Sequence, residues 1–354
     1  MYIWSSYSNL HEMSNKEITI YDIAENLGLS PSTISRGLKG HFTVSLKTQQ
    51  KITAAAAEMG YRSNTFAANL RSQRTNTIGI IVPKLNSYFM SEVIAGIEKV
   101  TNDAGYNLII SQSLEKSDKE SRNIKTMFNS RVDGLMVSLA GDTTDVSHFN
   151  LFTDKGIPVL FFDRVPADQQ FPSITIDNEQ AGYTVTQHLL GQGARNIAHI
   201  TGNQLRNVYS DRLKGYRRAL EEAGMVFNDN NIIINELNEK DGVISAGEIL
   251  AIGADAVFVS NDNCAASCMN ELKRLGVKIP ADIKFAGFNN DMISRNVDPA
   301  LTTIDYRGFE MGEVAASNLL EHLAGKRNIY QLPATILHSD LIVRLSSSDD
   351  HAAS

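Results

Sequence analysis

Apolar residues recur in two different patterns along the chain of 354 residues. Over residues 19–60 they recur every three or four positions, as in the stripe from Ile20 through Ile23 to Leu27, which is typical of short helices packed on one face. From Thr77 onward, short continuous apolar runs alternate with longer amphipathic stretches, which is typical of strands followed by helices. The pattern predicts a small all-α segment followed by an α/β body.

The all-α segment carries the signals of a helix-turn-helix. Thr19 is suited to cap a first helix, and Asp22, three positions later, completes a capping box. Gly28 makes the turn. Ser30 caps a second helix with Pro31 at its first position, where the missing N–H of proline costs nothing.

The second helix is predicted to bury Ile34 and Leu38 and to turn a polar, basic face outward. The residues on that outer face are Ser32, Thr33, Ser35, Arg36 and Lys39. Two short helices joined in this way place the second one in the major groove of DNA. A third helix is predicted over residues 45–60, and Asn64 begins a helix of barely two turns, too short to persist without a partner surface.

Several short motifs in this segment occur together. They are Tyr21-Asp22-Ile23-Ala24, Gly28-Leu29-Ser30, Thr33-Ile34-Ser35-Arg36, Val44-Ser45, Gly60-Tyr61, Asn64, Ala67 and Leu70. As a set they resemble the DNA-binding headpiece and hinge of the lac repressor–galactose repressor family of bacterial regulators. The resemblance implies DNA contacts by Thr19, Tyr21, Ser30, Ser32, Thr33, Ser35, Arg36, Asn64, Ala67 and Leu70.

In that family a hinge helix folds on the operator and paired leucines enter the minor groove, a role that falls by position on Leu70. The chain departs from the family at Ser63, where a proline usually precedes the hinge asparagine. Because serine leaves the unbound hinge more flexible, ordering this hinge should cost slightly more free energy.

The net charge of −7 is unevenly distributed. Residues 16–74 contain eight basic and four acidic residues, a net charge of +4, whereas residues 75–354 carry about −10. A modest basic module on an acidic body favours specific DNA binding over coating of any polyanion.

Other features exclude several classes of protein. Cys264 and Cys268 are four apart in a predicted helix and are interpreted as core residues, because a zinc site needs two further ligands that no His/Cys cluster supplies. No apolar run reaches membrane-spanning length. Residues 1–15 lack the pattern of a secretory signal and are expected to be a disordered lead-in, with Met13 as an alternative start. We therefore expect a cytoplasmic protein without a metal or other cofactor.

The body of the chain shows two consecutive series of strands and helices. Strands are predicted at 77–82, 107–111, 134–138, 158–162, 174–176, 196–201, 232–234, 256–259 and 284–287. Helices are predicted at 88–104, 117–130, before Gly156, and at 179–191, 213–223, 242–251 and 263–275. Because the strands are continuous apolar runs, they indicate two doubly wound parallel sheets covered by helices, and ligands of such folds bind beyond the carboxyl ends of the strands.

The resemblance to the same family extends through this body. It is carried by TNTIGIIVPKLNSYF, RVDGLMVS, FFDR, IDNEQAG, DRLKGYRRAL, VSNDN, GFNND, PALTTI and LIVR. It implies the two-lobed architecture of periplasmic sugar-binding proteins, with an effector between the lobes. The implied effector-binding residues are Tyr88, Phe89, Asp163, Arg164, Arg212, Asn261, Asp262 and Asn289.

Such a set suits a sugar, because carboxylates and amides accept from hydroxyls, arginine donates in pairs and aromatic rings cover apolar ring faces. Alternatives are open for several members. Asp163 and Asp262 would also serve as caps, Arg212 as a surface ion-pair partner and Phe89 as a core residue. Asn289 is a departure, since many relatives carry aspartate there, and it leaves the identity of the effector open.

The predicted organisation has five parts. Residues 1–15 are the lead-in, 16–62 the DNA-binding domain, 63–76 the hinge helix and linker, 77–346 the two lobes, and 347–354 a polar tail. Lobe 1 is expected at about 77–176 and 304–335, and lobe 2 at about 177–303 and 336–346.

These features predict a ligand-controlled transcriptional regulator, most often a repressor, that binds a palindromic DNA operator as a homodimer. The alternative is a solute-binding protein for carbohydrate uptake, which the headpiece opposes. An enzyme on the same lobes is a third hypothesis, opposed by the lack of a phosphate-binding loop, a metalloprotease motif or a nucleophile elbow in the sequence.

Overall fold

The computed structural model describes residues 18–61, 74–167, 170–332 and 334–348. The chain forms two compact units, one ending at Thr75 and the other beginning at Asn76. The expected lead-in and the predicted hinge contacts at Asn64, Ala67 and Leu70 lie outside the described residues.

The first unit contains three helices, α1 (Ile20–Leu27), α2 (Pro31–Leu38) and α3 (Leu46–Glu58). The predicted caps of the first two helices are confirmed. The Thr19–Asp22 capping box is present, and the Ser30 hydroxyl accepts from the Thr33 N–H. The predicted third helix is shorter at its end than expected, because Met59 and Gly60 form its C-terminal turn.

The core of this unit is small and apolar. It consists of Ile23, Ala24, Ile34, Val44, Ile52, Ala55 and Ala56. Gly37 lets α2 approach α3 closely, since a Cβ there would lie 2.4 Å from Cδ1 of Ile52. The first two helices therefore pack on α3 through this core, and the polar face of the helix-turn-helix is left exposed.

The second unit contains two parallel sheets and a short antiparallel ribbon. Its strands are β1 (Thr77–Val82), β2 (Asn107–Gln112), β3 (Gly134–Val137), β4 (Val159–Phe162), β5 (Ser173–Ile176), β6 (Ile197–Thr201), β7 (Ile232–Ile234), β8 (Ala256–Val259), β9 (Lys284–Ala286), β10 (Thr303–Asp305), β11 (Thr335–Leu337) and β12 (Asp340–Ile342). Its helices are α4 (Tyr88–Asp103), α5 (Ser117–Asn129), α6 (Asn150–Thr153), α7 (Asn178–Gly191), α8 (Asn207–Glu222), α9 (Glu239–Ile252), α10 (Asp262–Arg274), α11 (Met292–Asn296) and α12 (Gly308–Leu323).

Lobe 1 is built on the six-stranded sheet β11-β5-β4-β3-β1-β2, and lobe 2 on the four-stranded sheet β7-β6-β8-β9. All neighbours in both sheets run parallel. The strands β3, β4, β6 and β8 are buried along their whole length because helices cover both faces. The predicted fold of two doubly wound lobes is confirmed.

Several predicted boundaries differ from the structure, and one of them is the helix predicted from Gly242, which begins at Glu239. The lobe boundary at 335 falls inside β11, which pairs with β5 of lobe 1 as far as Leu337. The helix predicted from Leu213 begins at Asn207. The expected polar tail from 347 is wrong at its start: Ser347 is buried and its hydroxyl bonds to Thr302, so the chain is still part of lobe 2 there.

Helices α7 and α8 pack backbone to backbone through glycine. A Cβ at Gly182 would lie 2.3 Å from the backbone oxygen of Arg212, whereas a Cβ at Gly191 on the same helix meets nothing within 4 Å. We expect Gly182→Ala to lower the free energy of unfolding by about 1–3 kcal/mol, because the helices must separate. Gly191→Ala should change it by less than about 0.5 kcal/mol. Equal urea midpoints for the two variants would refute this packing argument.

Candidate functional site

The first candidate surface is the outer face of the helix-turn-helix. Tyr21 is 66% exposed and Arg36 lies exposed on α2, without an ion-pair partner among the described residues. The remaining predicted contacts in the described part, Thr19, Ser30, Ser32, Thr33 and Ser35, are exposed or half-buried. The surface combines hydroxyls and one free guanidinium, which are donors for phosphates and base edges.

Three hydroxyls of this surface form a cluster at the start of α2. The Ser30 hydroxyl lies 2.8 Å from those of Ser32 and Thr33. It also accepts from the Thr33 N–H at 3.2 Å. The amino-terminal end of a helix attracts phosphate oxygens, so this end of α2 is suited to the DNA backbone while Arg36, a turn later, is free for bases.

The second candidate site is a cavity of about 610 Å³ between the two lobes. Lobe 1 contributes the start of α4 and the end of β4, and lobe 2 contributes α8 and the segments that begin α9 and α10. The lining residues include Lys84, Ser87, Phe89, Glu115, Asp163, Arg164, Tyr209, Arg212, Glu236, Asn238, Glu239, Lys240, Asn261, Asn263, Asn289 and Tyr306. This is the position expected for a ligand of a doubly wound fold.

Arg212 forms the floor of the cavity. It is only 2% exposed, its Nε donates to Asn178 Oδ1 at 2.9 Å and its Nη1 donates to the Ser260 carbonyl at 3.1 Å. Its guanidinium lies 3.4 Å above the ring centroid of Phe288. Burial lowers the pKa of Arg212, but guanidinium remains charged at neutral pH. A surface ion pair, the alternative for this residue, is therefore excluded.

Asp163 lines the cavity and is fixed by two hydroxyls. Its Oδ1 accepts from Tyr306 at 2.6 Å and its Oδ2 accepts from Ser138 at 3.0 Å. The residue adopts a left-handed backbone (φ 59°) and is 4% exposed. Phe89 stacks on Tyr306 with ring centroids 4.2 Å apart. Together these residues form an aromatic wall with a carboxylate behind it.

Arg164 bridges the two lobes across the cavity. Its Nη1 donates to Glu115 at 2.6 Å within lobe 1, and its Nη2 donates to the Tyr209 hydroxyl of lobe 2 at 3.1 Å. Asn207 adds a second bridge, because its amide nitrogen donates to the Asp163 carbonyl and its oxygen accepts from Val165. Side chains of α8 therefore connect the two lobes at this side of the cleft.

On the lobe 2 side, asparagine side chains line the cavity, and the buried acids Asp262 and Asp291 lie behind them. Asn261 caps α10 by accepting from the Cys264 N–H at 3.1 Å. Burial, with the charge of Asp291, raises the pKa of Asp262 to about 7, and burial raises that of Asp291 to about 6. Both acids sit behind the wall and do not line the cavity.

Six of the eight predicted effector residues line the cavity: Phe89, Asp163, Arg164, Arg212, Asn261 and Asn289. Two differ from expectation. Tyr88 is 40% exposed at the start of α4 and does not line the cavity. Asp262 is fully buried, where it accepts from the Thr303 hydroxyl at 2.8 Å and from the Asp291 N–H at 2.9 Å.

Sequence reasoning missed other lining residues. Tyr209 lies three positions before Arg212 on α8, so an earlier helix start would have placed both on one face. Glu115, Asn263 and Tyr306 carry no such signal, since their positions depend on how distant segments meet. Within the described ranges, no cluster of three or more His, Cys, Asp or Glu side chains is arranged to hold a metal ion. None of the described helices has the length and apolar character needed to cross a bilayer.

Two family models match the chain. Residues 19–64 match the bacterial regulatory proteins of the lacI family, and residues 186–347 match a periplasmic binding protein-like domain. Among curated relatives, catabolite control protein A of Priestia megaterium is 31% identical over 90% of this chain and 97% of its own length. The HTH-type transcriptional repressor PurR of Vibrio cholerae is 30% identical over 93% of this chain and 99% of its own length.

Solved structures of transcriptional regulators are also similar to this chain. The lac repressor dimer bound to operator and an anti-inducer matches with a TM-score of 0.83 at 25% identity, over 94% of this chain and 99% of that one. The complex of the transcriptional regulator CelR with cellobiose matches with a TM-score of 0.70 at 25% identity, over 93% and 100%.

Proposed function

The chain belongs to the lacI family of bacterial regulatory proteins, and we propose that it is a cytoplasmic repressor whose binding to a palindromic operator is controlled by a neutral sugar or sugar derivative. As a member of this family it is a DNA-binding transcriptional regulator. The proposal concerns the effector, the symmetry of the operator and the direction of control.

The charge of the cavity supports a neutral effector. Four cationic and four anionic side chains line it, namely Lys84, Arg164, Arg212 and Lys240 against Glu115, Asp163, Glu236 and Glu239. Because these charges balance, a charged ligand would gain no net attraction and would lose its hydration. A neutral ligand with many hydroxyls suits the mixture of donors and acceptors instead.

The aromatic wall supports a ring-shaped effector. The stacked pair of Phe89 and Tyr306 offers an apolar surface next to the polar floor. Sugars have one apolar ring face and hydroxyls around the edge, so both surfaces of the cavity would be used. CelR, a structural relative, is seen with cellobiose, and this too favours a carbohydrate.

A solute-binding protein for carbohydrate uptake is the alternative, since its lobes would look the same. The helix-turn-helix favours regulation, because a transport protein has no use for a polar face with an exposed Arg36. The relatives are regulators and not enzymes.

A thermal-shift panel tests the effector proposal. The panel contains D-glucose, D-galactose, cellobiose, lactose, gluconate and glucose 6-phosphate. Binding to the folded state alone raises the melting temperature. We expect a rise with at least one neutral sugar and none with the two anions. A rise only with the anions would contradict the proposed effector.

We also propose that the chain is a homodimer, since a two-fold operator needs two headpieces. The lac repressor relative is a dimer on its operator. Light scattering at micromolar concentration should give about twice the chain mass of 38.9 kDa. A monomer at operator-binding concentrations would contradict this assembly, and a tetramer would require a further interface.

A further inference from the structure

Four asparagines line the lobe 2 side of the cavity, Asn238, Asn261, Asn263 and Asn289, and two of them share one hydrogen-bond acceptor. Asn263 Nδ2 donates to Oδ2 of Asp291 at 3.2 Å, and Asn289 Nδ2 donates to the same oxygen at 3.4 Å. Both asparagines line the cavity, whereas Asp291 does not. One buried carboxylate therefore contacts two groups that face the ligand space.

The position of Asp291 is fixed by its surroundings. The residue is 2% exposed, and its N–H donates to Asp262 Oδ2 at 2.9 Å. The two preceding residues, Asn289 and Asn290, both have left-handed backbones (φ 116° and 57°). Asn290 is held by Arg344, whose Nη2 donates to its Oδ1 at 2.8 Å. Only Oδ2 of the Asp291 carboxylate is hydrogen-bonded among the described residues, and it accepts from both amides, whereas Oδ1 is buried there without a partner.

A carboxylate only accepts hydrogen bonds, so the amide atoms that face it must be the NH₂ groups. The carbonyl oxygens of Asn263 and Asn289 then point away from Asp291. Neither oxygen has a partner among the described residues, and neither is a buried unpaired atom there. The wall therefore offers the cavity two neighbouring acceptors in a fixed orientation.

We propose that Asp291 is a positioning residue that sets the specificity of the effector site. It holds the amides of Asn263 and Asn289 with their oxygens toward the cavity, so that lobe 2 accepts from two neighbouring hydroxyls of the effector. This inference rests on the proposed function, and it adds a requirement for the ligand. A neutral polyol is bound, because its hydroxyls donate to the two amide oxygens. A ligand that presents only acceptors there is disfavoured, because its lone pairs face those of the amide oxygens.

The test is isothermal titration calorimetry of the full chain with cellobiose, D-glucose and D-galactose and with the singly deoxygenated forms of each. For a sugar that binds, we expect the wild type to lose about tenfold in affinity when a hydroxyl facing this wall is removed. Asp291→Leu removes the oxygen to which both amides donate, so neither amide is held in one orientation. It should bind the parent sugar about tenfold more weakly and no longer distinguish that deoxy form.

Two further variants separate positioning from general damage. Asp255→Asn changes another structural carboxylate of lobe 2, which accepts from the backbone N–H groups of Arg195 and Asn196, and it should retain full discrimination. Asn263→Leu removes one acceptor directly and should lose the same discrimination even if Asp291→Leu folds poorly. The two losses should not add in the double variant, because they concern one contact.

Different results would overturn different claims. If the wild type binds a sugar and Asp291→Leu keeps both its affinity and its discrimination, the positioning role is wrong while the proposed function stands. If the wild type binds none of these neutral sugars, the proposed function and this inference both fail.

Discussion

Replacing Arg212 by leucine is expected to abolish the response of operator binding to the effector sugar. The guanidinium is the floor of the cavity and is aligned by Asn178, Ser260 and the ring of Phe288. Losing charge-assisted hydrogen bonds to the sugar should weaken its binding by about 100-fold. Without sugar, binding to the operator should be unchanged, since the headpiece is a separate compact unit.

The control for this prediction is Arg217→Leu on the same helix. Arg217 is exposed and lies over the ring of Phe227, so its loss should leave the sugar response intact. Arg212→Lys covers the case in which leucine unfolds lobe 2, because lysine keeps the charge but cannot donate in pairs. A normal sugar response in either Arg212 variant would show that the effector does not depend on the Arg212 guanidinium for binding.

Replacing Arg36 by alanine is expected to remove about 1–3 kcal/mol of operator discrimination, or about 5- to 160-fold in the ratio of specific to non-specific affinity. Arg36 is exposed on α2 and lacks an ion-pair partner among the described residues, so it is free to donate to a base edge. Fluorescence anisotropy with operator and random duplexes at one salt concentration measures both affinities.

Lys51→Ala is the matched control, since Lys51 is an exposed cation on α3 and not on α2. This variant should weaken binding to both duplexes equally or leave both affinities unchanged. An equal loss on operator and random DNA in Arg36→Ala would mean that this arginine contacts only phosphate.

The parts of the fold that could be predicted are those whose signals are local. The Thr19–Asp22 capping box, the Ser30-Pro31 start of α2 and the apolar strands depend on residues close in sequence, and the structure contains all of them. The ribbon of β10 and β12 was not predicted. Its strands are three residues each and 37 positions apart, so no local pattern marks their pairing.

The start of α8 was missed for a different physical reason. Its buried face runs from Val208 through Arg212 to Tyr216, and a buried arginine interrupts the apolar stripe on which the prediction depended. A cation survives there because neutral oxygens and aromatic rings surround it, an arrangement that only the tertiary structure creates. Functional sites are where local patterns and the folded structure disagree in this way.

The same disagreement between local pattern and folded structure explains why the roles of Asp262 and Asp291 in lobe 2 could not be predicted. Asp262 was expected at the effector from the family resemblance, yet its oxygens are satisfied within the fold by Thr303 and the N–H of Asp291. Asp291 was not singled out, because its importance comes from left-handed residues before it and asparagines brought from two segments. Motif positions identify the region of the cavity, and the hydrogen bonds decide which side chains reach it.

The central claim, a sugar-controlled DNA-binding regulator, is tested most directly by one titration. A duplex selected by the full chain from a random pool is labelled and titrated with the chain, with and without the neutral sugar that raises its melting temperature most. The account predicts a two-fold symmetric duplex and an affinity that the sugar changes by about 5- to 150-fold, the usual range of coupling between two sites. Enrichment of no common duplex, or an affinity that no neutral sugar in the panel changes, would contradict it.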